Sequence, residues 1–230
     1  MKNHLKRPAI PKSWPIKRRG IVFITRPNPG PHPINLGIPL KLVIKDILNI
    51  AKNSKEVKKV LYKNEVLVDG IRRKEPRFLV GIMDVIDIKK TSQYFRIILD
   101  KGKISLISID KKEAESKPCK ITGKTKIKGR TQLNLYDGKN ILVDKDDYKT
   151  GDTVFISLPK QEIKEHIKLQ KGCCIYLIGG KHSGDIGKIE DIIANKITYK
   201  RESGDTIETL KKYVFVIGKD KPIISLTKKE

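Results

Sequence analysis

Residues 94–109 read YFRIILDKGKISLISI, two apolar runs on either side of a short turn. Each run has the length and the β-branched and aromatic composition of a short strand, and Asp100-Lys101-Gly102 is typical of a hairpin turn. Similar short runs with the composition of strands recur further along the chain, at 132–135, 141–143, 154–158, 173–178, 187–193, 196–199, 206–209 and 213–217. Several short strands at close spacing predict a small barrel or sandwich.

Upstream of these strands, the periodicity changes to that of a helix. Apolar residues recur at i, i+3, i+4 and i+7 over residues 40–51, and Pro39 suits the first turn of a helix. Ser54 is predicted to cap a second helix. The pair Asp69-Gly70 predicts a tight turn between two short strands. The block 39–92 is therefore expected to be a small module of two helices and a sheet.

Charge is the strongest functional signal. The chain has 50 Lys and Arg against 26 Asp and Glu, a net charge of +24 in 230 residues, which indicates a polyanionic partner. A membrane surface fits poorly, because the sequence has no apolar run of spanning length, no basic amphipathic helix with bulky anchors and no lipidation motif. The N-terminus also lacks the pattern of a secretory signal. We expect a soluble, cytoplasmic protein that binds nucleic acid.

The positive charge is densest at the N-terminus. Residues 1–41 contain nine Lys or Arg, no acid and eight of the twelve prolines, so a regular helix is excluded through most of this segment. An extended basic arm laid along RNA is favoured over a disordered solubilising tail, because residues 21–24 are apolar. Trp14 is expected either to stack on a base or to pack under the domain. The predicted RNA contacts of the arm are Arg7, Lys12, Trp14, Lys17, Arg18, Arg19, Arg26 and His32.

Two further basic surfaces are predicted downstream. On the second helix, lysines with few acids to pair with are interpreted as a phosphate-facing surface, although a charged helix face is more often simply solvated. The Asp69-Gly70 turn is expected to direct the arginines after it outward. Residues 116–136 contain no acid, and alternating lysines there predict one basic strand face. The predicted contacts are Lys55, Lys58, Lys59, Arg72, Arg73 and Arg77 in the first block, and Lys124, Lys126, Lys128 and Arg130 in the second, where Lys117 and Lys120 are also counted.

Nothing in the sequence predicts catalysis. The glycine-rich stretch 179–184 lacks the Lys-Ser or Lys-Thr of a phosphate-binding loop, and there is no G-x-S-x-G motif. The four histidines have no metal-ligand spacing, and the three cysteines form no C-x-x-C pair. We therefore predict no catalytic residue, no metal, no cofactor and no small-molecule substrate.

Several ordered motifs occur together across nearly the whole chain. They are RPNPGPH at 26–32, VDG at 68–70 with Arg72 or Arg73 after it, VGIMDVI at 80–86, DG at 137–138, GDTV at 151–154 and YVFVIG at 213–218. In this order they resemble the archaeal and eukaryotic small-subunit ribosomal protein family of the S-four-e type.

The resemblance implies an α+β multidomain architecture. Its parts would be an N-terminal extension (1–38), an S-four-type RNA-binding domain (39–92), a central β domain (93–170) and a C-terminal KOW domain with an SH3-like barrel (171–230). In the KOW motif it implies RNA contacts by Lys181, His182 and Lys188. Asp185 stands where the family often has a basic residue, which puts a phosphate contact at that position in doubt.

The resemblance also implies a function. The chain would be a structural constituent of the small ribosomal subunit, with small-subunit ribosomal RNA and neighbouring ribosomal proteins as its partners. An RNA-modifying enzyme with an S-four-type module would need a large extra catalytic domain, for which the chain has no room. A regulatory factor of transcription or translation with a KOW domain remains the rival hypothesis.

Overall fold

The computed structural model describes residues 4–63, 66–144, 146–201 and 203–226. The described residues divide into two compact units, one made of 4–99 with 103–114, the other of 100–102 with 115–226. β-Strands are the main regular structure of the described residues, and helices are few and short. The expectation of an α+β chain with more than one domain is confirmed.

The described residues of the first unit form three small antiparallel sheets. Their orders are β1-β2, β3-β6 and β5-β4-β7-β8-β9. Asp69 and Gly70 both have positive φ, 52° and 75°, so the predicted tight turn between β4 and β5 is confirmed. The strands are β1 (Leu5–Lys6), β2 (Phe23–Ile24), β3 (Gly37–Pro39), β4 (Val66–Val68), β5 (Ile71–Arg72), β6 (Leu79–Gly81), β7 (Val85–Ile88), β8 (Gln93–Asp100) and β9 (Lys103–Ile109).

The N-terminal segment is folded back on itself. Strand β1 pairs with β2, so that Leu5 lies opposite Ile24, and Ile10 and Trp14 are buried. The prediction of an extended arm is therefore wrong for this segment. Its prolines do prevent a long helix, but its few large apolar side chains bury enough surface to hold a compact, irregular structure.

The helices of the first unit are shorter than the sequence predicts. Helix α1 (Leu40–Leu42) continues into a π-helical turn at Val43–Ile47, and Asn49, with a φ of 53°, follows in the left-handed conformation. A left-handed residue commonly ends a helix. The predicted helix over 40–51 thus ends early. The other α-helices among the described residues of this unit are α2 (Ser54–Lys63) and α3 (Lys111–Ala114), and single 3-10 turns lie at Arg7–Ala9, Ile34–Leu36 and Lys89–Thr91.

Helix α2 begins with a reciprocal cap. The side-chain oxygen of Asn53 accepts hydrogen bonds from the backbone amides of Lys55 and Glu56, at 3.0 and 2.9 Å. The Glu56 carboxylate in turn accepts one from the amide of Lys52, at 2.7 Å. The prediction that Ser54 is the cap is therefore wrong by one residue, because Asn and Ser are both good caps and stand side by side here.

We expect Asn53→Ala to lower the free energy of unfolding by about 1 kcal/mol, because two amides at the start of α2 lose their acceptor. Ser54→Ala is the matched control and should change it by a few tenths of a kcal/mol at most. Urea unfolding followed by circular dichroism measures both. Equal losses in the two variants would contradict the assignment of the cap to Asn53.

The second unit is all β. Its two five-stranded antiparallel sheets have the orders β12-β11-β10-β13-β14 and β18-β17-β16-β15-β19. The predicted strands of this region are confirmed, and β14, with few apolar residues, escaped prediction. The strands are β10 (Ser116–Ile127), β11 (Arg130–Leu135), β12 (Asn140–Val143), β13 (Thr153–Ser157), β14 (Ile163–Ile167), β15 (Cys174–Leu177), β16 (Ile186–Ile193), β17 (Lys196–Arg201), β18 (Thr206–Leu210) and β19 (Val214–Gly218).

Strand β10 pairs with β13 along its first part and with β11 along its second part, and so joins the two halves of the first of these sheets. Its start, from Ser116 to Lys120, pairs with β13, whereas its end, from Ile121 onwards, pairs with β11, and the pairing with β11 contains a register shift between Ile121 and Gly123. A bulge of this kind bends a strand and increases its twist. The sheet therefore curves around a small core, which consists of Cys119, Ile121, Leu133, Leu135, Val154 and Ile156.

Candidate nucleic-acid interface

Two arginines of the N-terminal segment are engaged with its own backbone. Arg7 donates through Nε to the carbonyl of Ile21, at 3.2 Å, and through Nη1 to that of Lys17, at 2.8 Å. Arg18 donates through Nη2 to the carbonyl of Ile10, at 3.2 Å. These side chains therefore hold the segment in its folded-back shape. The other predicted cations of the segment divide into exposed ones, Lys12, Lys17 and Arg19, and the half-buried Arg26.

Trp14 and His32 are buried. Trp14 is 3% exposed, and its indole Nε1 donates to the carbonyl of Gly37 at 2.8 Å. The Nε2 atom of His32 lies 3.1 Å from both carboxylate oxygens of Asp84. A Cβ atom on Gly81 would stand 2.2 Å from the His32 ring, so only glycine leaves room for it. The prediction of RNA contacts is corrected for both: Trp14 packs under the domain, and His32 is a buried structural residue.

We expect Trp14→Phe to lower the free energy of unfolding by about 1–2 kcal/mol, because the hydrogen bond of the indole is lost and the smaller ring fills less of the core. The affinity of the folded variant for small-subunit RNA should not change. Urea unfolding and filter binding measure the two quantities. A fall in RNA affinity under conditions where the variant is fully folded would show that Trp14 contributes to RNA binding.

Helix α2 presents four exposed lysines, and Lys55, Lys58 and Lys59 are the three that were predicted to contact RNA. Its buried face consists of Val57 and Leu61. The capping residues at its start hold the helix in place, so the lysine positions are fixed before any partner binds. A set of like charges on an ordered element is well suited to a row of phosphates.

Two lysines of the preceding helical segment belong to the same charged surface. Burial and the positive charges of Lys45 and Lys58 lower the pKa of Lys41, although Asp46 opposes the shift. We call Lys41, Lys45, Lys55, Lys58 and Lys59 the lysine face. The sequence reasoning missed Lys41 and Lys45. Their spacing of four residues, within a helical pattern, was the signal that could have identified them.

The arginines after the first hairpin are less free than predicted. Arg72 is exposed. The guanidinium of Arg73 lies over the ring of Phe78, 4.3 Å from its centre, and Arg77 donates through Nε to the carbonyl of Arg26 at 3.0 Å. Both Arg73 and Arg77 are half-buried. Arg72 therefore points outward as predicted. The same prediction is wrong for Arg73, because its side chain stacks on Phe78 and lies against the protein.

Only two of the three lysines that were predicted to share a strand face, Lys124 and Lys126, lie on strand β10, and they differ in exposure. Lys124 is half-buried, donates to the carbonyl of Tyr148 at 2.6 Å and pairs with Asp146. Lys126 is exposed on the strand. Lys128 lies beyond the end of β10, in the turn, with a φ of 48°. The alternation in the sequence therefore ends where the strand does. Exposed Arg130 pairs with Asp144 at 3.1 Å.

Two other lysines of this region are buried and cannot reach RNA. Lys117 pairs with Asp137 at 2.9 Å. Lys120 is 7% exposed, and its ammonium donates to three carbonyls, those of Lys211 and Lys212 at 3.0 Å and that of Val214 at 2.6 Å. Burial lowers the pKa of Lys120 to about 8. The prediction that Lys117 and Lys120 belong to a basic RNA surface is therefore wrong, because both ammonium groups bind acceptors inside the protein.

The loop between β15 and β16 contains a polar cluster. Arg201 donates through Nε to Asp185, at 2.7 Å, and through Nη2 to Nδ1 of His182, at 2.8 Å. Tyr199 also donates to Asp185, at 3.2 Å, and burial together with this carboxylate raises the pKa of Tyr199 to about 12. Asp185 is therefore neutralised by Arg201 and orders the loop. Lys181 and Lys188 are exposed beside it.

Two open clefts in the second unit bring together cations of which only Lys188 was predicted from the sequence. One, of about 370 Å³, is lined by Lys188, Lys200, Arg201 and Lys221 over an apolar floor. The other, of about 530 Å³, is lined by His166, Lys168, Lys171 and Lys219, and both contain Asp220. These residues come from separate strands and turns, so no local pattern in the sequence indicated that they meet.

The described residues contain no group of three or more His, Cys, Asp or Glu side chains that could hold a metal ion. No described helix is long and apolar enough to cross a membrane.

Two models of known protein families match separate parts of the chain. Residues 1–35 match the model of the RS4NT domain, and residues 91–163 match the model of the Ribosomal family S4e. The small ribosomal subunit protein eS4 of Methanosphaera stadtmanae is 46% identical over 233 aligned residues, covering 98% of this chain and 96% of that protein. The chain belongs to the ribosomal family S4e.

Other S4e proteins support the same assignment. The eS4 protein of Methanocaldococcus jannaschii is 43% identical, with 98% of both chains covered. The crystal structure of the 30S ribosomal protein S4e from Thermoplasma acidophilum superimposes with a TM-score of 0.69 at 32% identity, covering 80% of this chain and 95% of that one. The predicted family is confirmed.

Proposed function

We propose that this S4e protein is a structural constituent of the small ribosomal subunit, in the cytoplasm, where it binds and positions ribosomal RNA without catalysing a reaction. Its S4e relatives are small-subunit ribosomal proteins. The observation that carries the RNA contact is the lysine face. Burial first, and then the nearby charges of Lys45 and Lys58, lower the pKa of Lys41, and a polyanion would offset the repulsion between these like charges.

Exposed cations outside the lysine face are further proposed RNA contacts, in each unit separately. In the first unit they are Lys12, Lys17, Arg19 and Arg72, and in the second unit they are Lys126, Lys128, Arg130, Lys181 and Lys188. Phosphate contacts of this kind set position and orientation without reading sequence. Neighbouring ribosomal proteins are the second class of partner.

We also propose the finer architecture that the family resemblance implies. Residues 1–38 would form the N-terminal extension, 39–92 an S-four-type RNA-binding domain, 93–170 a central β domain and 171–230 a KOW domain with an SH3-like barrel. The five-stranded antiparallel order β18-β17-β16-β15-β19 over residues 174–218 supports the last of these, since small barrels are built from such strongly bent sheets.

A sucrose gradient tests the function. Full-length protein should sediment with small subunits in a one-to-one ratio and leave them only at high salt, because its binding depends on phosphate contacts. A free pool without a subunit-bound fraction would contradict the proposal. Binding in small and variable amounts would favour a regulatory factor instead.

A further inference from the structure

Three consecutive large apolar side chains are exposed near the N-terminus. The exposed fractions are 72% for Ile21, 60% for Val22 and 52% for Phe23. We call these three residues the apolar ridge. Single exposed apolar residues are ordinary, but a contiguous group on a folded segment commonly marks a binding surface.

The apolar ridge is held in place by Arg7. Its backbone amide donates to the carbonyl of Val22 at 2.8 Å, and its guanidinium donates to the carbonyls of Ile21 and Lys17. Strand β2, which contains Phe23, is paired with β1. The ridge is therefore presented by a braced turn whose shape exists before a partner arrives, which lowers the entropy lost on binding.

The surroundings of the ridge are uniformly positive. Lys17, Arg18 and Arg19 precede it and Arg26 follows it, and residues 1–41 contain no acid. A partner that covers the ridge must therefore be apolar at its centre and negative at its rim.

The side chains of the ridge favour a protein over RNA as the occupant. RNA offers phosphates, riboses and the polar edges of bases, whereas Ile21 and Val22 have neither a hydrogen-bond donor nor a planar group to stack. The ring of Phe23 already lies against His4, with 5.1 Å between ring centres and an interplanar angle of 44°. Base stacking in RNA recognition uses free aromatic faces.

We propose that the apolar ridge docks into an apolar pocket, rimmed by carboxylates, on a neighbouring protein of the small ribosomal subunit. This inference rests on the proposed function, since it requires assembly into the subunit. It assigns the N-terminal segment two partners: exposed cations such as Lys12 contact RNA, and the ridge contacts protein.

Site-specific photocrosslinking tests the occupant. Benzoylphenylalanine at Val22, in small subunits reconstituted from purified RNA and proteins, should crosslink to one ribosomal protein. The same probe at Lys12 is the control and should crosslink to RNA. A crosslink from position 22 to RNA, or none at all in fully assembled subunits, would overturn the proposal.

Substitution provides the second test. Ile21→Ser, Val22→Ser and Phe23→Ser together should leave the affinity for protein-free small-subunit RNA, and its salt dependence, within about twofold, but should lower incorporation into reconstituted subunits about tenfold, because only the protein contact is lost. The matched control replaces Leu142, Ile193 and Ile223, three exposed apolar residues elsewhere, with serine and should incorporate normally.

The two proposals fail in different ways. If the ridge variant loses RNA affinity while its circular dichroism spectrum is unchanged, the ridge is an RNA contact and the inference fails. Incorporation equal to that of the control would also overturn it. If the unchanged protein neither binds the RNA nor enters subunits, the proposed function itself fails.

Discussion

Reversing Lys55, Lys58 and Lys59 to glutamate should weaken binding to small-subunit RNA by about 100-fold or more at 0.1 M salt. Each phosphate contact contributes about 0.7 to 0.9 to the slope of log affinity against log salt concentration. Three lost contacts therefore remove about two units from that slope, which corresponds to about two decades at 0.1 M relative to 1 M salt. The new carboxylates add repulsion.

A matched control separates this local effect from the change in net charge. Lys149, Lys160 and Lys164 are exposed in the second unit, and reversing them changes the total charge by the same amount. We expect that variant to lose much less affinity and to keep most of its salt slope. Filter binding across a range of salt concentrations measures both variants. Equal losses would mean that net charge, and not the lysine face, governs binding.

The second large effect concerns Lys120, the buried lysine whose ammonium donates to three carbonyls. Lys120→Met should lower the free energy of unfolding by about 2 kcal/mol or more at pH 7, since those carbonyls lose a charged donor inside the protein. Lys126→Met, an exposed change on the same strand, is the control and should be nearly neutral. Urea unfolding followed by circular dichroism measures the difference.

The difference in stability between the unchanged protein and Lys120→Met should depend on pH, and the pKa of Lys120 gives the sign of that dependence. Burial lowers the pKa of Lys120 from 10.5 to about 8 in the folded protein, so between these values the unfolded chain holds the extra proton. Stability therefore rises with pH over this range, and the advantage of the unchanged protein over Lys120→Met should grow by about 3 kcal/mol between pH 8 and 10.5. A constant difference between the two proteins across this range would contradict the burial of a charged Lys120.

Local features of the fold could be predicted from the sequence, because the cause lies within a few residues. The Asp69-Gly70 turn needs two left-handed residues, and this pair adopts them readily. Most strands of the second unit follow from short apolar runs, whereas β14 has few apolar residues and was missed. The two wrong local predictions also have local causes. Asn53 caps α2 because it and its neighbour Ser54 are both suited to that role, and the helix predicted over 40–51 ends early because a left-handed residue follows it.

Site residues were harder to predict, because exposure depends on partners far away in the sequence. Lys120 and Lys126 look alike in a run of lysines, yet one meets carbonyls more than 90 residues away and the other faces solvent. Trp14 is similar: its acceptor, Gly37, lies in another element. The lysines of α2 were predicted correctly as exposed, since helical spacing alone separates them from Val57 and Leu61.

Strand β10 has a consequence for how the sequence of this family can change in length. Its first half pairs with β13 and its second half with β11, and the pairing with β11 contains the register shift between Ile121 and Gly123. Deleting one residue between 124 and 127 would turn every later side chain of the strand to the opposite face. We therefore expect insertions and deletions among relatives to collect in the turn at Lys128 and Gly129, and to avoid the strand that leads to it.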